Sequence, residues 1–132
     1  MNESACVLLF ATGGSRLVLL EPRTDGLIGL PGGKREPGDA SIYDTAKREL
    51  REETGFILGA AQSLLVAKAG DHLCSCFLAM EYTPPGHFSV PMTPAWADPE
   101  DLVASDRSRF RDFYAVMFTR LAGLYRRELH SR

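Results

Sequence analysis

Apolar residues lie in short runs along much of the chain. Residues 5–12 (ACVLLFAT) and 16–21 (RLVLLE) are two β-compatible runs around a Gly-Gly pair. Two runs joined by a glycine turn are typical of a β-hairpin. Residues 61–69 and 72–82 predict two further strands, separated by a Gly-Asp turn.

Two other segments have the period of amphipathic helices. Ser41 opens the first, with Asp44 three residues later as in a capping box, and Gly55 ends it. The second spans residues 107–129, where large apolar residues recur at helical spacing and predict a buried stripe. The members of this stripe are Phe110, Phe113, Tyr114, Met117, Leu121, Leu124 and Tyr125.

Two stretches follow neither period. Residues 22–39 hold five glycines and three prolines, which argue against a helix, while three apolar residues favour an ordered loop. Residues 83–94 are a second predicted loop, followed by a short turn or helix start at 96–102. The order of strands, glycine loop, helix, strands and helix predicts an α/β fold with a mixed sheet between helices.

The length and the charge distribution of the chain limit its possible domain organisation and ligands. A chain of 132 residues that is 45% hydrophobic predicts a single domain, residues 1–132, with an ordinary core. Residues 1–104 hold 8 Lys/Arg and 14 Asp/Glu, a charge of −6, whereas residues 105–132 hold 7 Arg and 3 acids, a charge of +4. An acidic body with a basic end could bind a metal ion in one place and phosphates in another.

The cysteines and the absence of long apolar runs indicate the compartment. Cys6, Cys74 and Cys76 form no disulfide framework, and alternation places the last two on one strand face as small apolar residues. No apolar run approaches the ~18 residues of a membrane span, and no basic segment opens the chain. We therefore expect an intracellular, cytoplasmic protein with no membrane association.

Glu49, Glu52 and Glu53 share one face of the first predicted helix. Three carboxylates at this spacing can simply be a solvated charged face. However, they follow the loop LPGGKREPGD (30–39), whose glycines let backbone approach a ligand and whose Lys34 and Arg35 add positive charge. Oxygen ligands beside a phosphate-binding loop indicate Mg²⁺ or Mn²⁺.

Residues 33–56 (GKREPGDASIYDTAKRELREETGF) resemble the signature of the Nudix hydrolases. That pattern is Gly, five residues, Glu, seven residues, then Arg-Glu-U-x-Glu-Glu-x-Gly-U, where U is bulky or aliphatic. The second half matches fully from Arg48 to Phe56, but Asp39 replaces the first Glu and eight residues separate it from Arg48. The resemblance implies the family's α/β/α sandwich.

The resemblance also implies a metal site. Glu49, Glu52 and Glu53 would bind the divalent ion, with the carbonyl of Gly32 as a further ligand, and Arg48 would orient the carboxylates. Water activated by the metal would attack a phosphorus atom of a pyrophosphate bridge. The general base would be Glu52, Glu53 or a residue further along the chain.

The same resemblance places Lys34 and Arg35 near the substrate phosphates, and Arg23 on a phosphate or a base. Some family members take an acidic base from the loop before the last strand. Here the loop 83–94 has no Asp or Glu, and His87 is its one titratable side chain.

The stretch 23–33 (RTDGLIGLPGG) is similar to a run found in the inosine diphosphatase and RNA-decapping branch. With the basic C-terminal segment, this favours purine nucleotides and the 5′ cap of RNA as substrates. The short chain favours an alternative, a nucleotide-pool-cleansing hydrolase that converts (d)NTP to (d)NMP and pyrophosphate. A non-catalytic nucleotide-binding module is the alternative of another class, against which the complete set of carboxylates argues.

Overall fold

The computed structural model describes residues 2–12, 15–21, 25–86, 95–108 and 110–130, with only the backbone for 124–130. Its centre is a four-stranded sheet in the order β3-β1-β6-β5. The strands are β1 (Asn2–Leu8), β3 (Gly32–Lys34), β5 (Ala61–Ala69) and β6 (His72–Ala79). β1 runs parallel to β6 and antiparallel to β3, so the predicted mixed sheet is confirmed.

The side chains of β1 alternate between two hydrophobic clusters, one on each face of the sheet. Val7 and Leu9 pack with Leu50 of helix α1 (Ile42–Thr54). Leu8 packs in the other cluster with Met117 of helix α3 (Arg111–His130). The two helices therefore cover opposite faces, and the α/β/α sandwich is confirmed.

The remaining elements are short. They are β2 (Val18–Leu20), β4 (Ile57–Leu58), β7 (Tyr82–Thr83), β8 (Ala95–Ala97) and helix α2 (Pro99–Ala104). β2 pairs antiparallel with β8, and β4 pairs antiparallel with β7. The segment predicted as a short turn or helix start thus contains both the end of a strand and a six-residue helix.

The N-terminal hairpin is only partly as predicted. Phe10 and Val18 form an antiparallel bridge, and the Leu19 N–H donates to the Leu9 carbonyl over 2.9 Å. Before Leu9, however, the chain belongs to the four-stranded sheet and pairs with β3 and β6. The long apolar run therefore serves two sheets in succession, while the predicted Gly-Gly turn lies outside the described residues.

Helix α1 begins and ends where the sequence predicts. Ser41 caps it by accepting a hydrogen bond from the Asp44 N–H, and the Asp44 carboxylate accepts one from the Ser41 N–H. Gly55 ends it with φ of 80°, in the left-handed region that glycine adopts without strain. The cap fixes the rotation of α1, and so determines which way its glutamates face.

The stripe on α3 and the cysteine face largely follow prediction. Tyr114 and Met117 are buried, but Phe110 precedes the helix and is 52% exposed. Cys76 is buried and Cys74 partly buried, both with free thiols. Among the described helices, none is long and apolar enough to cross a membrane.

Candidate functional site

The site forms where α1 packs over the glycine strand β3. A Cβ atom on Gly33 would lie 2.5–2.8 Å from the carboxyl atoms of Glu49, so only glycine leaves room for that carboxylate. One residue earlier, the Gly32 N–H donates to Oε2 of Glu53 over 3.2 Å. The glycine strand thus forms the surface against which two of the predicted metal ligands lie.

Glu49 and Glu53 lie four residues apart on α1 and therefore on the same face of the helix. The pKa of Glu53 is raised to about 9, first by burial, then by the charge of Glu21 and by the neighbouring carboxyl group of Glu49. Excess negative charge is therefore concentrated at this point, where a cation would stabilise the ionised carboxylates.

The guanidinium of Arg48 is held by the carboxylate of Asp39. The guanidinium donates from Nε and Nη2 to the Asp39 carboxylate over 3.0 and 2.9 Å. Asp39 also accepts from the Thr45 hydroxyl and the Glu36 N–H, each over 2.9 Å. These bonds, first of all the one to Arg48, keep the pKa of Asp39 well below its usual range.

The other end of the guanidinium faces the glutamates. Nη1 of Arg48 lies 2.9 Å from Oε1 of Glu49 and 3.2 Å from Oε2 of Glu52. The side chain of Glu52 is 56% exposed, compared with 15% for Glu49. Arg48 therefore links the carboxylate of Asp39 to those of Glu49 and Glu52 on the helix.

The carboxylate oxygens of Glu49, Glu52 and Glu53 are chemically suitable ligands for a divalent cation. In this structure, however, the three side chains do not converge on one point. Glu49 and Glu52 both contact Arg48, Glu53 accepts from the Gly32 N–H, and no group of three metal-binding side chains occurs within the described residues. Carboxylate oxygens are the ligands that Mg²⁺ and Mn²⁺ prefer. The room left by Gly33 places the Glu49 carboxylate beside the backbone of the glycine strand.

The predicted phosphate ligands have different surroundings. Lys34 has an exposed side chain, and its carbonyl accepts from Arg48 Nη2 over 3.0 Å. Arg35 pairs with Glu3 over 2.6 Å and reaches the Asp39 carbonyl over 3.4 Å. Both line an open depression of about 370 Å³ beside the loop 30–39. Arg23 and His87 lie outside the described residues.

Two further residues of this region carried no functional signal in the sequence. Glu21 follows an apolar run and looks like the end of a strand, yet its charge acts on Glu53. Tyr114 fits the core stripe of the last helix, yet its hydroxyl accepts from the Leu30 N–H over 2.9 Å. The second contact spans 84 residues of sequence, so periodicity could not reveal it.

Comparison with known proteins gives one family. The NUDIX domain family matches residues 2–117. Among solved structures, a MutT protein of Bacillus halodurans is 20% identical with a TM-score of 0.64, covering 89% of this chain and 80% of that one. An ADP compounds hydrolase is 18% identical with a TM-score of 0.70, covering 96% of this chain and 74% of that one. A Nudix hydrolase family member from Chromobacterium violaceum is 21% identical with a TM-score of 0.64, covering 99% of this chain and 89% of that one. No curated protein sequence matches the chain.

Proposed function

Because the chain belongs to the NUDIX domain family and is a hydrolase of acid anhydride bonds, we propose that it cleaves a pyrophosphate linkage in a nucleoside diphosphate-linked substrate with the help of Mg²⁺ or Mn²⁺. The observation that carries this proposal is that the carboxyl groups of Glu49 and Glu53 both lie against the strand Gly32–Lys34, the first in the room left by Gly33 and the second on the Gly32 N–H. A solvated charged face would not bury a carboxyl group against a glycine backbone.

The proposed metal ligands are Glu49, Glu52 and Glu53, together with the carbonyl of Gly32. When bound, the ion would lower the pKa of a water molecule and offset negative charge on the phosphates. Glu52 or Glu53 accepts the proton of the attacking water, and Arg48 keeps the carboxylates in place. The burial of Glu53 supports its part, because burial favours the protonated carboxyl group that results.

We propose that Lys34 and Arg35, which line the depression beside the loop 30–39, bind the substrate phosphates. Arg23 is a third proposed ligand of the substrate. Lys34 is exposed on the strand that also contributes Gly32. Arg35 would have to exchange its pair with Glu3 for a phosphate, which is feasible for a surface ion pair of small net strength.

The leading substrates in this proposal are purine nucleotides and the 5′ cap of RNA. The alternative is the conversion of (d)NTP to (d)NMP and pyrophosphate by a nucleotide-pool-cleansing enzyme. Both would use the same metal and glutamates to cleave a pyrophosphate linkage, and they differ in the substrate that carries this linkage. We further propose that residues 1–132 form one domain, and that the free thiols of Cys6, Cys74 and Cys76 reflect a reducing, intracellular compartment.

Product analysis tests the proposal. Purified protein with Mg²⁺ is offered capped RNA, GTP, dGTP, IDP and ADP-ribose in parallel, and the products are separated by chromatography. Glu52→Gln serves as the inactive variant, and Glu100→Gln, which removes the same charge at an exposed position of α2, is its control.

We expect release of a capped nucleotide, or of IMP from IDP, by wild type and Glu100→Gln but not by Glu52→Gln. Pyrophosphate release from triphosphates alone would instead identify the pool-cleansing alternative. Full Mg²⁺-dependent turnover by Glu52→Gln would refute the metal assignment, and no turnover of any substrate by wild type would favour the non-catalytic module.

A further inference from the structure

Residues just before α3 and in its first turn form hydrogen bonds with the loop that leads into the glycine strand. Nε of Arg107 donates to the Gly26 carbonyl over 2.8 Å, and the Ile28 N–H donates to the Arg107 carbonyl over 2.8 Å. Ile28 and Ser108 form a parallel bridge at the same place. The loop is therefore built against the C-terminal part of the chain rather than against α1.

Tyr114 makes the last and most buried contact of this series. Its side chain is 2% exposed, and its hydroxyl oxygen accepts from the Leu30 N–H over 2.9 Å. A Cβ atom on Gly29 would lie 3.2 Å from the same oxygen, so the loop backbone passes directly over the hydroxyl. Close packing on one side and a hydrogen bond on the other leave the backbone at this point little freedom.

Only Pro31 separates this contact from the functional site. The Pro31 carbonyl accepts from the Val7 N–H of β1 over 2.9 Å, and the Gly32 N–H then donates to Glu53. Adjacent Cα atoms are about 3.8 Å apart. The hydroxyl of Tyr114 therefore holds the backbone at Leu30, two residues before the Gly32 N–H that donates to Glu53. A shift at Leu30 has no flexible segment in which to be absorbed before Gly32.

From this geometry we infer that Tyr114 is a positioning residue for the hydrolytic site, which sets the Gly32 backbone against Glu53 through its hydrogen bond to Leu30. The inference rests on the proposed function, because it assigns α3 a part in placing the proposed metal ligands. It connects the two faces of the sandwich, since Tyr114 belongs to the cluster of α3 and Glu53 to α1 on the other face.

Tyr114→Phe removes the hydroxyl and keeps the ring. Tyr82→Phe is the matched control, because the Tyr82 hydroxyl is also hydrogen-bonded to the backbone, here as the donor to the Phe10 carbonyl over 2.8 Å, at a place outside the loop that leads into β3. For each variant we would measure the thermal unfolding temperature, turnover as a function of Mg²⁺ concentration, and amide hydrogen exchange at Gly32 in metal-free protein.

We expect Tyr114→Phe to raise the Mg²⁺ concentration for half-maximal turnover by about three- to tenfold, the scale of one lost hydrogen bond, and to speed exchange at Gly32. Tyr82→Phe lowers the unfolding temperature but leaves both readouts at wild-type values. Unchanged Mg²⁺ dependence and unchanged Gly32 exchange in Tyr114→Phe, or an equal change in both variants, would overturn the inference. If wild type shows no turnover, the proposed function fails, and exchange at Gly32 still decides whether Tyr114 positions this backbone.

Discussion

Individual residues in this site act largely through the space they leave or the partner they hold. Gly33 is the clearest case, since its missing side chain admits the Glu49 carboxylate. Gly33→Ala places a methyl group 2.5–2.8 Å from that carboxyl group and must displace it. We predict that turnover falls on the order of a hundredfold, as expected for a catalytic group moved by about 1 Å, which steady-state kinetics at saturating Mg²⁺ would measure.

Gly38→Ala is the control for that prediction. Gly38 lies in the same loop, but a Cβ atom there would meet nothing within 4 Å. Its turnover should match that of wild type. Equal activity of the two alanine variants would show that the Glu49 carboxylate does not need the position that Gly33 allows.

Asp39 makes stability depend on pH. Its pKa is lowered in the folded protein, first by the hydrogen bond from Arg48, so the folded state binds this proton less readily than the unfolded chain does. The stabilisation is complete above the unfolded value of about 3.9 and is lost as pH falls toward the folded value. We predict that the unfolding temperature of wild type drops more steeply below about pH 5 than that of Asp39→Asn.

Asp106→Asn separates this effect from general acid sensitivity. Asp106 also pairs with an arginine, Arg111, but its side chain is 98% exposed. The variant should follow the wild-type curve from neutral to acid pH. A wild-type slope that is the same as that of Asp39→Asn would contradict the assignment of a strong native pair between Asp39 and Arg48.

The sequence predicts the types of residue in the site better than their contacts. Helical spacing was enough to place Glu49, Glu52 and Glu53 on one face. It could not show that Arg48 contacts Glu49 and Glu52 while Glu53 accepts from the Gly32 N–H, because side-chain rotamers decide this. Asp39 was identified only as a departure from a pattern, since its role depends on a loop that turns it toward Arg48.

Among the elements, those with a long regular pattern were predicted correctly, and those formed by tertiary pairing were not. α1 and β5 have their predicted bounds and β6 its predicted start, because capping, periodicity and turn residues are local signals. β6 ends at Ala79 rather than at residue 82, and Tyr82 belongs to β7. The sequence predicts a loop at Gly32–Lys34, the residues of β3, because Gly-Gly-Lys has little strand propensity. It is a strand because β1 offers it a hydrogen-bonding edge, which is a property of another part of the chain.

The proposal that capped RNA is a substrate makes a prediction for helix α3. Arg126 and Arg127, whose side chains lie outside the described part of the structure, would neutralise RNA phosphates. Replacing both with Gln should weaken RNA binding and reduce the slope of log affinity against log salt by about 1.4, or ~0.7 per contact. Filter binding of a capped RNA at several salt concentrations measures this slope.

A control with the same loss of charge uses Arg16→Gln together with Lys47→Gln, two exposed positions outside α3, of which the second lies on α1 at the opposite face of the sheet. This pair should leave the salt slope unaltered. If both double variants behave alike, or if neither changes the slope, the arginines of α3 only solvate its outer face and the capped substrate loses its main support.

At the scale of the whole molecule, the sheet separates two clusters of buried side chains. Val7 belongs to the cluster under α1 and Val18 to the cluster under α3, and both side chains are fully buried. The proposed ligands lie on α1, whereas Tyr114 and the loop contacts come from the other face. The hydrogen bonds of Leu30 to Tyr114 and of Gly32 to Glu53 therefore connect the two faces along the backbone of residues 30–32.

This arrangement predicts that packing defects on opposite faces are independent. Val7→Ala and Val18→Ala each remove two methyl groups from a filled core, at a cost of about 2 kcal/mol. Their combined effect on the free energy of unfolding should equal the sum within about 0.5 kcal/mol, the usual limit for sites with no shared partners. Urea unfolding of the two single variants and the double variant completes the cycle.

Val18→Ala with Leu20→Ala is the comparison, because both residues belong to the cluster under α3 and lie two positions apart on β2. Here the surroundings can collapse around one enlarged cavity, so the cost of the second truncation depends on the first, and the coupling should exceed about 0.5 kcal/mol. Strong coupling between Val7 and Val18 would show that defects pass through the sheet. In that case Tyr114 would act on Glu53 through the packing of the whole sandwich, and the hydrogen bond at Leu30 would not be its specific route.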